Sequence, residues 1–150
     1  KEGRSAKFPR VSPDGRFLMY TVSDYGNFSI WHKDADLRLL DMLTCQTDSL
    51  LQVNSDDVES YHSWSSNSRW FVFSSRRIDG LYTRPYIAYV GEDGKVGKPF
   101  LLPQKDVGFY PSFMKSFNIP EFITGKVKVQ GRALAIKAKE DKGTDVRFAK

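Results

Sequence analysis

The chain has 150 residues, 40% hydrophobic and 27% charged, with 23 Lys and Arg against 18 Asp and Glu. That length suits one domain with a modest core, and no apolar run approaches the length of a membrane span. The net charge of +5 resolves into a tail: Lys126 to Lys150 carries eight basic and three acidic residues, while residues 1–125 balance at 15 each. Without interleaved aromatics such a tail reads as solvated, not as a specific nucleic-acid-binding surface.

The chain opens at Lys1 with neither an initiator Met nor an apolar signal region. A processed or truncated product is therefore expected, with its targeting segment removed. Aromatics, at 14%, fall in short alternating stretches, which favours strands. Arg10-Val11 leads into Ser12-Pro13-Asp14-Gly15 and then Phe17 to Val22. Pro presets φ in a turn, Asp tolerates the next position and Gly supplies φ > 0, so this is hairpin chemistry between two strands. Asp24 to Asn27 is a second turn. Ala35 to Leu43 reads as a strand with Leu37 and Leu39 on one face, although its helix formers leave a helix open. Ser49 to Val53 closes the unit as an outer strand. Cys45, the one cysteine, is expected as a small core or edge residue; it leaves no internal disulfide and no Cys/His zinc cluster.

The pattern then recurs. Tyr61 to Phe73 lies over Phe8 to Tyr20 at an offset of 53, with Ser66-Asn67-Ser68 replacing Pro13-Asp14-Gly15. Tyr86 to Val90 makes a third strand, Gly91 to Gly94 a tight turn, and Lys98 to Leu102 a fourth strand. Four strands repeated at this spacing imply propeller blades. The expected fold is all-β: two four-stranded antiparallel propeller blades in residues 1–103 (about 1–54 and 55–103), a partial β-propeller. A connecting segment follows in 104–125, with one helical turn at Phe113 to Phe117 ended by Pro120, and then a basic tail in 126–150. Within that tail Lys126 to Gln130 alternates like an edge strand, Ala133 to Lys139 fits helix or strand, and the last ten residues are expected to be loose.

The Ser12-Pro13-Asp14-Gly15 turn and its second copy in YHSWSSNSRWFVFSS resemble the TolB-like propeller repeat family over about residues 8–103. The resemblance implies a bacterial periplasmic or cell-envelope protein of lipoprotein-like type. Any membrane association would run through a lipid anchor absent from this sequence. The family generally uses six or more blades, and two cannot close a ring. A longer parent is therefore expected, or assembly with further copies, or a small sandwich.

For function, the resemblance implies a non-catalytic binding or scaffold module, with loops on one face taking a protein partner or a small anionic or peptide ligand. The alternative is the propeller of a larger enzyme, a peptidase or a polysaccharide lyase. The densest polar loop holds Arg76, Arg77, Asp79, Tyr82 and Arg84, and Tyr61 and His62 would open toward the channel mouth. Arg matches carboxylates and phosphates through its planar fork. The competing reading, which the residue pattern favours, pairs these arginines with Asp residues of the adjacent blade. No catalytic residue is expected: His32 and His62 lack metal-ligand neighbours, and Ser65-Ser66 lacks the flanking glycines of a nucleophile elbow. Asp56, Asp57 and Glu59 read as a solvated acidic loop before a calcium site, and Trp31, Trp64 and Trp70 as strand core. No cofactor is implied.

Overall fold

The computed structural model describes residues 3–140. Eight strands form two four-stranded antiparallel sheets, each a meander in chain order. Sheet 1 holds β1 (Ser5–Val11), β2 (Phe17–Ser23), β3 (Asp36–Asp41) and β4 (Gln46–Asp48). Sheet 2 holds β5 (Glu59–Trp64), β6 (Trp70–Ser75), β7 (Arg84–Tyr89) and β8 (Phe100–Leu101). Two helices follow, α1 (Phe109–Ser112) and α2 (Gly131–Glu140).

The two β1–β2 and β5–β6 connections are one device built twice. Phe17 N–H donates to Ser12 Oγ at 2.9 Å, and Trp70 N–H to Ser65 Oγ at 3.0 Å. Ser12 donates to Asp14 Oδ1 at 2.6 Å, and Ser65 to Asn67 Oδ1 at 2.7 Å. Gly15 takes φ 76° and Ser68, its counterpart, φ 58°. Ser68 thus accepts a left-handed conformation that Gly adopts freely. The same duplication appears upstream. Phe8 (φ 52°) and Tyr61 (φ 54°) both sit where the strand register shifts, between Lys7 and Arg10 and between Ser60 and Ser63. Each is a bulge that re-aims the inner strand.

Side chains alternate across β2: Phe17, Met19, Thr21 and Ser23 are buried while Leu18, Tyr20 and Val22 are half-buried. Phe17, Met19, Leu37 and Leu39 meet Phe71, Phe73, Tyr86 and Ala88 in one core, joined by Leu50 and Val53 from the connection between the sheets. Under the 53-residue offset Met19 corresponds to Val72, yet Val72 lies on the opposite face of β6 from Phe71 and Phe73. Sheet 1 therefore offers its front to the back of sheet 2. Like elements also lie side by side: Phe8 meets Tyr61 edge-on at 5.4 Å, and Trp64 Nε1–H donates to Arg10 O at 3.0 Å. This same-way-round stacking is that of adjacent propeller blades. A two-sheet sandwich related by a twofold would bury equivalent faces.

Several local expectations are corrected. The outer strand of sheet 1 is Gln46–Asp48, and Ser49 to Val53 is a turn with Leu50 at φ 53°. The three-residue spacing of Leu50 and Val53 is that of a turn dropping two side chains into the core. Cys45 is exposed at φ 56° in the tight turn before β4, where Asp41 Oδ1 accepts the N–H groups of Leu43 and Thr44. The helical turn lies at Phe109–Ser112, ahead of Phe113 to Phe117. Lys126 to Gln130 is exposed and forms no strand, and Gly131–Glu140 is helical. The last ten residues of the tail lie outside the described residues.

Candidate functional site

The six residues singled out from the sequence go to four different places. Arg77 lies over the Tyr86 ring at 4.5 Å and donates to Glu59 Oε1 at 2.9 Å and to Val53 O at 2.7 Å. Its partner is thus an acid of its own sheet, where an Asp of the adjacent blade was expected. Glu59 is fully buried, not solvated, and accepts from Ser55 N–H and Oγ and from Ser75 Oγ. Burial pushes its carboxyl up from the ordinary value, and these hydrogen bonds and the Arg77 cation oppose that rise. The cluster fastens the start of β5 to the end of β6.

His62 is 1% exposed and its Nε2–H donates to Met19 O at 3.0 Å, tying β5 to β2 across the core. Burial lowers its pKa to about 4, so the ring is neutral at ordinary pH. Arg84, 2% exposed, donates to the carbonyls of Lys115, Phe113 and Tyr110 and lies over the Tyr82 ring at 5.0 Å. It holds the chain after α1 against sheet 2. Tyr82 and Arg84 border an apolar groove of about 370 Å³ with Tyr110 and Phe113.

Tyr61 and Arg76 remain together. They line a cleft of about 310 Å³ whose other walls are Ile30, Trp31, Leu81, Thr83 and the Ser116-Phe117-Asn118 stretch. Four segments build it. The β2–β3 connection contributes a single 3-10 turn, Ser29–Trp31, entered through Phe28 at φ 49°. The bulge at Tyr61 aims that ring out of β5 toward the turn. The β6–β7 connection contributes Arg76, whose fork donates to Gly80 O, closing its own loop. The guanidinium carbon lies 4.9 Å from the centroid of Trp31. Across the mouth, Thr83 N–H donates to Ser116 Oγ at 3.2 Å and Phe117 N–H to Thr83 O at 3.1 Å.

Arg76 differs from its neighbours in what it lacks. Arg4, Arg10, Arg16, Arg38, Arg69 and Arg77 each have a carboxylate oxygen within 4 Å. Arg84 has three carbonyls. Arg76 has one carbonyl, no ion pair among the described residues, and an Nε–H that is buried without an acceptor. Sequence reasoning missed Trp31, read as strand core and found 65% exposed. Its flanks, Asp24 to Asn27 and Lys33-Asp34, are turn formers and carried the signal for a loop. Ser116 to Asn118 had no signal, because their approach depends on the path of the chain after β8. Among the described residues no group of three or more His, Cys, Asp or Glu could hold a metal ion.

No family model matches the chain. No curated protein matches it. A solved structure similar to this chain is the β-propeller domain of the Trilobed protease from Pyrococcus furiosus, at 17% identity and a TM-score of 0.42. That alignment covers 67% of this chain and spans 30% of the other.

Proposed function

We propose that this chain is a non-catalytic binding module whose ligand is a segment of another protein, held in the Trp31–Tyr61–Arg76 cleft. The carrying observation is the pairing of an exposed Trp with an arginine that makes no ion pair among the described residues, at the mouth of a preformed apolar cleft. Preformed apolar concavities with a few polar groups are the usual form of a binding site, and Trp, Tyr and Arg are the side chains that most often anchor partners. The cell-envelope setting belongs to the same proposal and draws its support from the SPDG repeat.

Selection of a phage-displayed random peptide library on the immobilised 150-residue chain tests the module. Enriched clones should lose binding to Trp31→Ser and keep it on Leu51→Ser, a change at an exposed site away from the cleft. Absence of enrichment over bare beads, or clones indifferent to Trp31→Ser, would overturn it.

A further inference from the structure

The chemistry of the cleft narrows the ligand. We infer that it takes a peptide segment in which a carboxylate adjoins a large apolar side chain, the carboxylate on Arg76 and the apolar group between Trp31, Tyr61 and Phe117. This rests on the binding reading above and names its ligand class.

The Arg76 guanidinium lies over the Trp31 ring, and Gly80 O accepts from one end of its fork. Its Nε–H is buried with no acceptor, and a buried donor left so is costly. A carboxylate is the acceptor whose shape and charge match a planar fork. No acid among the described residues pairs with Arg76 within 4 Å, although the Arg76 charge is one of those that help hold the nearby Asp79 below its ordinary value. Asp79 is engaged by the N–H groups of Leu81 and Tyr82, each at 2.8 Å, and Glu59 by Arg77 and the two serines. Beside the arginine, Ile30, Leu81 and Phe117 make the walls apolar, and about 310 Å³ admits one aromatic side chain. Thr83 and Ser116 already bond each other across the mouth, so the cleft has an aliphatic and aromatic floor and a single cationic corner.

The test uses four fluorescein-labelled peptides, blocked at both ends, with a central Phe-Glu, Phe-Gln, Gly-Glu or Gly-Gln in an otherwise Gly-Ser sequence. Fluorescence anisotropy is read against the wild-type chain, Arg76→Gln and Arg76→Lys, with melting temperature measured for each. The Phe-Glu peptide should bind at least about tenfold more tightly than the other three, a difference of one side-chain contact or charge pair. Arg76→Gln should erase the preference for Glu over Gln, whatever loss of the Gly80 bond does to the melting temperature. Arg76→Lys should restore part of it, since a point charge replaces the fork.

Equal binding of Phe-Glu and Phe-Gln, both lost on Trp31→Ser, would overturn the carboxylate inference and leave the binding module standing. Library clones that lack acidic residues would do the same. A loss of affinity in Arg76→Gln that is matched by a fall in melting temperature and unaffected by the peptide's charge would also overturn it, assigning Arg76 to the Gly80 loop alone.

Discussion

Asp14 and Ser68 are hydrogen-bonded to each other: the Asp14 backbone N–H donates to Ser68 Oγ at 2.9 Å. Each belongs to the same position-matched turn in its own sheet, so the repeated motif also joins the two copies. Ser68 does two jobs there, taking the left-handed conformation and supplying the acceptor. Ser68→Ala should lower stability by about 1 kcal/mol through the lost bond. Ser68→Gly should cost less, because relief at φ 58° offsets that loss. Gly15→Ala, which meets no atom within 4 Å, should cost about 1–2 kcal/mol on backbone grounds alone. Urea denaturation of the three variants checks the order.

His62 predicts an acid-labile core. Its folded pKa of about 4 lies below the ordinary 6.5, so the unfolded chain binds a proton between those values that the folded chain refuses. The stability contributed by neutral His62 is therefore full above about pH 6.5 and is lost as the pH falls toward 4. The shift is worth about 3 kcal/mol. Glu59, raised above its ordinary 4.5, acts in the opposite sense, since its protonation on acidification favours the folded state. The quantity to measure is thus a difference: between pH 7 and 4 the wild type should lose about 3 kcal/mol more than His62→Phe.

The Glu59–Arg77 pair should behave as a unit. Glu59→Gln strands the Arg77 cation, and Arg77→Met strands a fully buried carboxylate, so each should cost about 3 kcal/mol. The double change should cost less than the sum by more than about 1 kcal/mol. Additive losses in a double-mutant cycle would refute the coupling.

Arg84→Met should free the segment after α1 without unfolding the sheets. Amides from Phe113 to Phe117 should exchange with deuterium about tenfold faster, while those of β6 stay protected. Equal acceleration in both would mean that Arg84 supports the sheet itself.

Tyr20 and Phe73 occupy equivalent positions in the two repeats, yet Phe73 is in the shared core and Tyr20 is half-buried on the far side of sheet 1. Phe73→Ala should cost about 3–5 kcal/mol, and Tyr20→Ala less than about half as much. Thermal denaturation of the two variants decides whether the sheets stack same way round.

The repeat was legible because turn chemistry is local: Ser12 to Gly15 and Ser65 to Ser68 carry their geometry in adjacent side chains. Strand β2 was legible from the aromatic and aliphatic run after its turn, β6 from the recurrence of that run and β7 as the next strand of the repeat, while the helix formers of β3 left a helix open. Less was visible where a side chain answers to a distant partner. Arg77 and Arg84 are neighbours in one polar loop, but one turns to Glu59 and the other to carbonyls some 30 residues onward. Nothing in the loop itself separates them. Of the site, Tyr61 and Arg76 could be picked out by type, whereas Trp31 was misplaced because an aromatic in a β-rich chain defaults to the core.

Front-against-back stacking also has a consequence for association. A contact between equivalent faces saturates itself when two sheets meet, but a contact between unlike faces leaves one of each kind unused. Here the half-buried row of Leu18, Tyr20 and Leu40 is the unused back of sheet 1. On β6, Ser74 donates to Asn118 O, so the segment after α1 reaches that strand. A third sheet that continued the same-way-round stack would meet the apolar row of Leu18, Tyr20 and Leu40 with its own front.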